Sequence, residues 1–218
     1  MQIVLSSTPS KVSKEYSPIA AKAGAIVVDN SSAWRMDPDC PLVVPEVNAD
    51  QLHHIKKGIV ANPNCVAIPL CVAVHPLRAL AGIKRIVVST YQSSSGKGAT
   101  GLVDFDAQLK AFAAGGPVPA PTAHRGQLAG NVLTLDWTLD PNGYTEEENK
   151  VINETKDGRF PQPIQAEGSD DTFVGRVRQD PSNPNALSLW VVADNLRKGA
   201  ASNAVQCAEE LVKRGIVK

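Results

Sequence analysis

The chain reads as an α/β protein built on a parallel, doubly wound sheet, and two observations predict it. Runs such as Ala25-Ile26-Val27-Val28-Asp29 and Ile59-Val60-Ala61 are apolar throughout rather than alternating, as expected of strands covered on both faces. Helix-like stretches separate these runs, and strand–helix alternation builds parallel sheets. With 218 residues and 43% apolar content, the chain can fill one large core or two small ones.

The elements follow in order. Strand Ile3–Leu5 leads through a polar turn to a helix from about Val12 to Ala23, closed by Gly24. Strand Ala25–Asp29, a loop and strand Leu42–Val44 come next, then a helix Ala49–Lys57 that stops at Gly58. Strand Ile59–Ala61 delivers a helix-like apolar stretch from Val66 to Leu80. The second half opens with strand Ile86–Thr90, a Ser/Gly turn over 93–98 and a helix from about Gly101 to Ala114. Residues 115–130 form a Gly/Pro/Ala loop. Strand Val132–Trp137, a helix near Glu146–Thr155, strands Thr172–Arg178 and Leu187–Val192, and a final helix Lys198–Lys213 complete the series. Residues 157–170, polar and rich in Pro and Gly, read as a seam.

Composition narrows the function. Net charge is zero, so nothing points to nucleic acid or an acidic membrane surface. No apolar run approaches the roughly 20 residues of a membrane helix. Cysteines 40, 65, 71 and 207 show neither metal-ligand spacing nor a disulfide framework, which suits a reducing compartment. Met1 opens directly on a strand, without a signal peptide. The expected location is the cytoplasm, or an organelle stroma if a transit peptide was lost.

Asn62-Pro63-Asn64-Cys65 carries the most chemistry. It joins a short strand to a helix, and a thiol at a helix's first turn meets the positive end of the backbone dipole. That setting favours thiolate and makes sulfur a better nucleophile. Pro63 pushes Asn62 to extended geometry, and Asn64 can cap the helix. The alternative is a buried, unreactive cysteine. Trp34 and Met36 read as packing residues.

Four blocks in order resemble the aspartate-semialdehyde dehydrogenase family: Val28-Asp29-Asn30-Ser31-Ser32-Ala33-Trp34-Arg35-Met36-Asp37, Ala61 to Cys65, Val88 to Gly96, and Val174-Gly175-Arg176 through Leu189 to Ala201. Asn142 to Thr145 and Asn153 to Lys156 add a weaker match. The resemblance implies an incomplete doubly wound, Rossmann-like sheet plus an α+β catalytic and dimerisation domain. Residues 1–64 would be a remnant of the NADP-binding domain, 65–194 the catalytic and dimerisation domain, and 195–218 a helix packing back on the first. It implies NADPH-dependent reduction of β-aspartyl phosphate to aspartate semialdehyde and phosphate, a step in lysine, methionine and threonine biosynthesis. The protein would be a homodimer or higher oligomer.

By the same resemblance Cys65 is the nucleophile that forms a thioacyl intermediate. Asn64 helps hold the acyl oxygen and Gln92 positions the substrate. Arg35 binds the acyl phosphate, Glu154 and Lys156 belong to the substrate and phosphate site, and Asn195 contacts the nicotinamide amide. A thioester accepts hydride where a carboxylate does not, and a guanidinium grips phosphate at two points.

Two departures from the family stand out. No Gly-rich turn of the phosphate-cradling kind adjoins a strand; Gly96-x-Gly98-x-x-Gly101 falls at the family's turn after the glutamine. Lys156 also runs at once into Asp157-Gly158-Arg159-Phe160-Pro161, so the family segment bearing a catalytic His and a substrate-binding Arg looks deleted near 156–160. His53 and His54 lie far upstream, and His75 is about 15 Å along the helix from Cys65. His124 sits in the Gly/Pro loop. A second expectation is therefore a catalytically inactive chain acting through dimerisation.

Overall fold

The computed structural model describes residues 2–133 and 161–217. The expected helix near 146–155 and most of the expected strand 132–137 lie outside the described residues. The chain divides into two compact units, residues 1–84 with 153–218, and residues 85–152.

In the first unit β1 (Ile3–Ser6), β2 (Ile26–Asp29) and β3 (Ile59–Ala61) form a parallel sheet in the order β1-β2-β3. Helix α1 (Ser10–Lys22) connects the first two strands. Successive residues of β2 and β3 serve opposite faces. Val28 and Val60 pack with Val43, Leu52 and, from α6 (Ser202–Lys213), Ala204, Cys207 and Leu211. Val27 and Ile59 pack on the other side with Cys40, Trp34 and Ala20 and Ala21 of α1. Covering both faces is what the unbroken apolar runs require.

The expected strand 42–44 is reduced to one bridge, Leu42 opposite Ala61, with the Val43 N–H donating to the Ala61 carbonyl at 3.1 Å. Pro41 and Pro45 flank it, and neither has an N–H to extend a ladder. Pro45 instead starts α2 (Pro45–Asn48), which tightens into a 3₁₀ turn over Ala49–His54 in place of the longer helix expected there. Met36, expected to pack, is 93% exposed, because Trp34 fills that contact.

After α3 (Ala67–Ala81) the first unit continues with the short α5 (Pro163–Ala166) and an antiparallel hairpin, β4 (Phe173–Asp180) and β5 (Asn183–Val192). The Trp190 indole donates to the Pro161 carbonyl at 2.7 Å. The expected single final helix is two elements, a π turn over Arg197–Ala201 and then α6. No helix among the described residues is long and apolar enough to cross a membrane.

The second unit holds a 3₁₀ turn over Ser94–Lys97 and α4 (Gly98–Ala113). The strand expected at 86–90 does not form: Ile86 is 47% and Val87 55% exposed, and no described strand lies against them. Propensity alone does not make a strand without a partner ladder.

Loop 121–129 is wound onto α4 by two buried side chains. The Asp104 carboxylate accepts the N–H groups of Thr122, Ala123 and His124 at 3.1, 2.8 and 3.0 Å, and Gln108 Oε1 accepts that of Leu128 at 2.7 Å. Burial alone would raise the Asp104 pKa, but these amides and the Gln108 side chain outweigh it and hold it at about 2. Because the folded value is depressed, the stabilisation is whole above the unfolded carboxylate pKa, near 4, and is lost as pH falls toward 2. Amide exchange at 122–124 should therefore accelerate below about pH 4. Asp104→Ala should open the loop at neutral pH, at a cost of about 3 kcal/mol. Unchanged protection in that variant would contradict the assignment.

Candidate functional site

The site begins where β3 ends. Asn62 is fully buried and its N–H donates to the Asp29 carbonyl at 2.7 Å, carrying the sheet pairing one residue further. Asn64 then turns the chain into α3. Its Oδ1 accepts the Val66 N–H at 2.8 Å and its carbonyl accepts the Ile68 N–H at 3.1 Å. With Oδ1 spent on the helix start, Nδ2 is the atom of Asn64 with the chemistry to donate to an acyl oxygen. Cys65 is half-buried in this turn, two residues ahead of the first helical residue Ala67 rather than within the first turn.

Arg35 is brought to the same turn. Its Nε donates to the Asn62 carbonyl at 3.0 Å and its Nη2 to the Asn30 carbonyl at 3.2 Å. The loop that carries it rests on the buried Asp29 carboxylate, which accepts the Ser31 N–H at 2.9 Å and the Ser13 hydroxyl at 2.6 Å. Ser13 in turn accepts the Trp34 indole N–H at 2.8 Å. A guanidinium in sequence blocks 27 residues from the tetrad thus becomes its direct neighbour.

Asn195 lies half-buried in the loop between β5 and the π turn. That loop is fixed by Asp194, whose Oδ1 accepts the N–H groups of Leu196 and Arg197 at 2.9 and 3.3 Å. In the second unit the Gln92 side chain folds over Gly96 so closely that a Cβ there would lie 1.7 Å from Nε2. His124 is buried, with Nε2 3.3 Å from the Gly101 carbonyl, and serves the loop on α4. Glu154 and Lys156 lie outside the described residues.

Cys40 and Cys207 are buried, whereas Cys71, like Cys65, is half-buried. Burial pushes Cys40 up to about 11 and Cys207 up to about 12, and raises Cys71 as well. No cysteine is in a disulfide.

Sequence reasoning passed over the residues behind the tetrad. Asn203 is fully buried on α6, and its Nδ2 donates to Asn62 Oδ1 at 2.6 Å and to the Val43 carbonyl at 3.0 Å. Lys198 is 2% exposed, its Nζ 2.7 and 2.8 Å from the Glu46 carboxylate oxygens. The available signal was an amide on the face of α6 that otherwise carries Ala204, Cys207 and Leu211.

A mainly apolar cleft of about 240 Å³ lies between β1 and α1, with Val4, Leu5, Ala20 and Val27 in its lining beside Ser6, Ser7, Thr8 and the first turns of α1. No lysine or arginine lines it. The volume is below the roughly 300 Å³ at which pockets for whole drug-sized ligands begin.

The class of protein is set by comparison with known families: this chain matches the semialdehyde dehydrogenases. Residues 1–55 match the semialdehyde dehydrogenase NAD binding domain, and residues 74–159 and 156–198 match the semialdehyde dehydrogenase dimerisation domain. The aspartate-semialdehyde dehydrogenase of Aquifex aeolicus is 41% identical over 275 residues, covering all of this chain and 81% of that protein. That of Prochlorococcus marinus is 38% identical, covering 98% of this chain and 78% of its own length. A solved structure of aspartate semialdehyde dehydrogenase II from Vibrio cholerae, complexed with ASA, superposes with a TM-score of 0.90 at 34% identity, covering 98% of this chain and 80% of that one. The chain belongs to the aspartate-semialdehyde dehydrogenase family. Against Aquifex the match runs over 275 positions while the chain has 218 residues, so at least 57 positions fall opposite gaps in this chain.

Proposed function

We propose that the chain is an NADP-dependent aspartate-semialdehyde dehydrogenase that interconverts β-aspartyl phosphate and aspartate semialdehyde and works as a homodimer. The single observation that carries this is the Arg35 guanidinium anchored on the Asn62 carbonyl, three residues from the half-buried Cys65. A phosphorylated carboxyl group seated there meets a nucleophile at its carbon and a cation at its leaving group.

In this reading the Cys65 sulfur attacks the acyl carbon. The carbon–oxygen bond to phosphate breaks, inorganic phosphate departs toward Arg35, and a thioester remains on Cys65. Asn64 donates to the acyl oxygen as negative charge develops there. Gln92 orients the substrate amino acid, with Glu154 and Lys156 completing the substrate and phosphate site. Ser6, Ser7 and Thr8, with Asn195, would hold the nicotinamide end of the cofactor, whose reduced form, NADPH, supplies hydride when bound. The matches to the dimerisation domain over 74–159 and 156–198 support a dimer. A compartment that keeps thiols reduced, such as the cytoplasm, suits the free cysteines.

A second reading has its own support. The dimerisation match comes in two pieces that overlap at 156–159, where the sequence places a deletion, and at least 57 positions of the Aquifex relative have no counterpart. The chain would then be an inactive subunit acting through dimerisation. Phosphate-dependent reduction of NADP with aspartate semialdehyde separates the two. Turnover by the purified chain, with a thermal shift on adding NADP, is the expected result. Absence of both, with a longer relative co-purifying, would establish the second.

A further inference from the structure

We propose that the π turn Arg197–Ala201 is the element that sets the pose of Cys65, with Gly199 and Asn203 as its positioning residues. The proposal rests on the reading of Cys65 as the nucleophile.

The turn is widened by one residue relative to an α-helix. The N–H groups of Gly199, Ala201 and Ser202 donate to the carbonyls five residues back, at Asp194, Leu196 and Arg197. Such widened turns are rare and cluster at functional sites. Here the widening brings the backbone of Gly199 flat against Cys65. A Cβ at 199 would sit 2.7 Å from the Cys65 carbonyl oxygen, 3.2 Å from its Cβ and 3.3 Å from its Cα. Gly199 does not have positive φ, so glycine is required by this approach and not by backbone conformation. The Cys65 carbonyl and Cα are groups that a rotamer change cannot move aside.

Hydrogen bonds lock the two segments together. The Asn62 Nδ2 donates to the Ala200 carbonyl at 3.1 Å and to Asn30 Oδ1 at 2.6 Å, while its Oδ1 accepts from Asn203. Arg35 holds the Asn62 carbonyl. Lys198, from the same turn, donates to Glu46, Asn203 Oδ1 and Gln206 Oε1. Asn62 is thus gripped from the Asn30 loop on one side and from the π turn and α6 on the other. Neither Gly199 nor Asn203 needs to touch substrate to act. They fix where the sulfur stands relative to Arg35 and Asn64, and displacement of a reacting group by about 1 Å can cost about 100-fold.

The test is the alkylation rate of each thiol in the native full chain, read by mass spectrometry with iodoacetamide, for Gly199→Ala and Asn203→Ala. Cys71, half-buried like Cys65 and six residues further along on α3, is the internal control. The expected result is a fall of roughly tenfold or more in Cys65 labelling, as the sulfur is displaced from the helix-start setting that favours its thiolate, with Cys71 unchanged and Tm within a few degrees. Wild-type labelling of Cys65 in either folded variant overturns the proposal. A parallel rise at Cys71 also overturns it, since that is general loosening. Where Gly199→Ala does not fold, Asn203→Ala decides by the same criteria, and collapse of both means that the turn holds the fold and not the thiol, which is a third way to overturn it. A wild-type Cys65 no more reactive than free cysteine would instead refute the nucleophile reading, before any variant is compared.

Discussion

Cys65→Ser should reduce phosphate-dependent turnover by at least about 1,000-fold while leaving the fold intact. A hydroxyl in place of the thiol is nearly isosteric, so the turn, the Asn64 cap and the packing on Gly199 should survive. What changes is the chemistry. A serine hydroxyl is far less acidic than a thiol, so near neutral pH almost none of it is the nucleophilic anion. In the assayed direction the thiol must add to the aldehyde before hydride can leave, and phosphate must then cleave the resulting thioester, so without the sulfur neither step has a route. The measurement is the initial rate of NADP reduction alongside Tm. Retained turnover in the variant would remove the sulfur from the mechanism altogether.

Native alkylation near neutral pH should modify Cys65 at least about 100-fold faster than the other three thiols. The reactive species is the thiolate. With pKa values pushed to about 11 and about 12, Cys40 and Cys207 are ionised at pH 7 to only ~1 part in 10⁴ and ~1 part in 10⁵. They are also 3% and 0% exposed, so a reagent reaches them only when the structure opens. Cys71 is shifted in the same direction by burial. Comparing Cys65 with free cysteine under identical conditions then isolates activation from mere access. Labelling slower than free cysteine would reject an activated thiol, and equal labelling of all four would reject the packing described above.

The sheet, its parallel order and its coverage on both faces were legible because β2 and β3 are continuous apolar runs separated by helical spacing. The tetrad was legible because a turn, a cap and a nucleophile fall within four residues. Arg35 was found through the resemblance, since an arginine in a polar loop carries no local signal. Long-range partners remained hidden. Nothing near residue 62 announces that its side chain is held by Asn203, and nothing near 198 announces Glu46 as the partner of a buried lysine. The run at 86–90 misled for the complementary reason, having strand propensity but no pairing strand among the described residues. The loop over 121–129 looked patternless because its order comes from Asp104 and Gln108 on α4 rather than from its own residues.

The bond between Asn203 and Asn62 spans 141 positions of sequence, and the one from Asn62 to Ala200 spans 138. Loop closure over such distances is slow and entropically costly. During synthesis the strands, the tetrad and its thiol emerge well before residues 198–211, which must then thread back and dock. The newborn chain therefore carries the Cys65 sulfur in an unfinished setting until that distant segment docks.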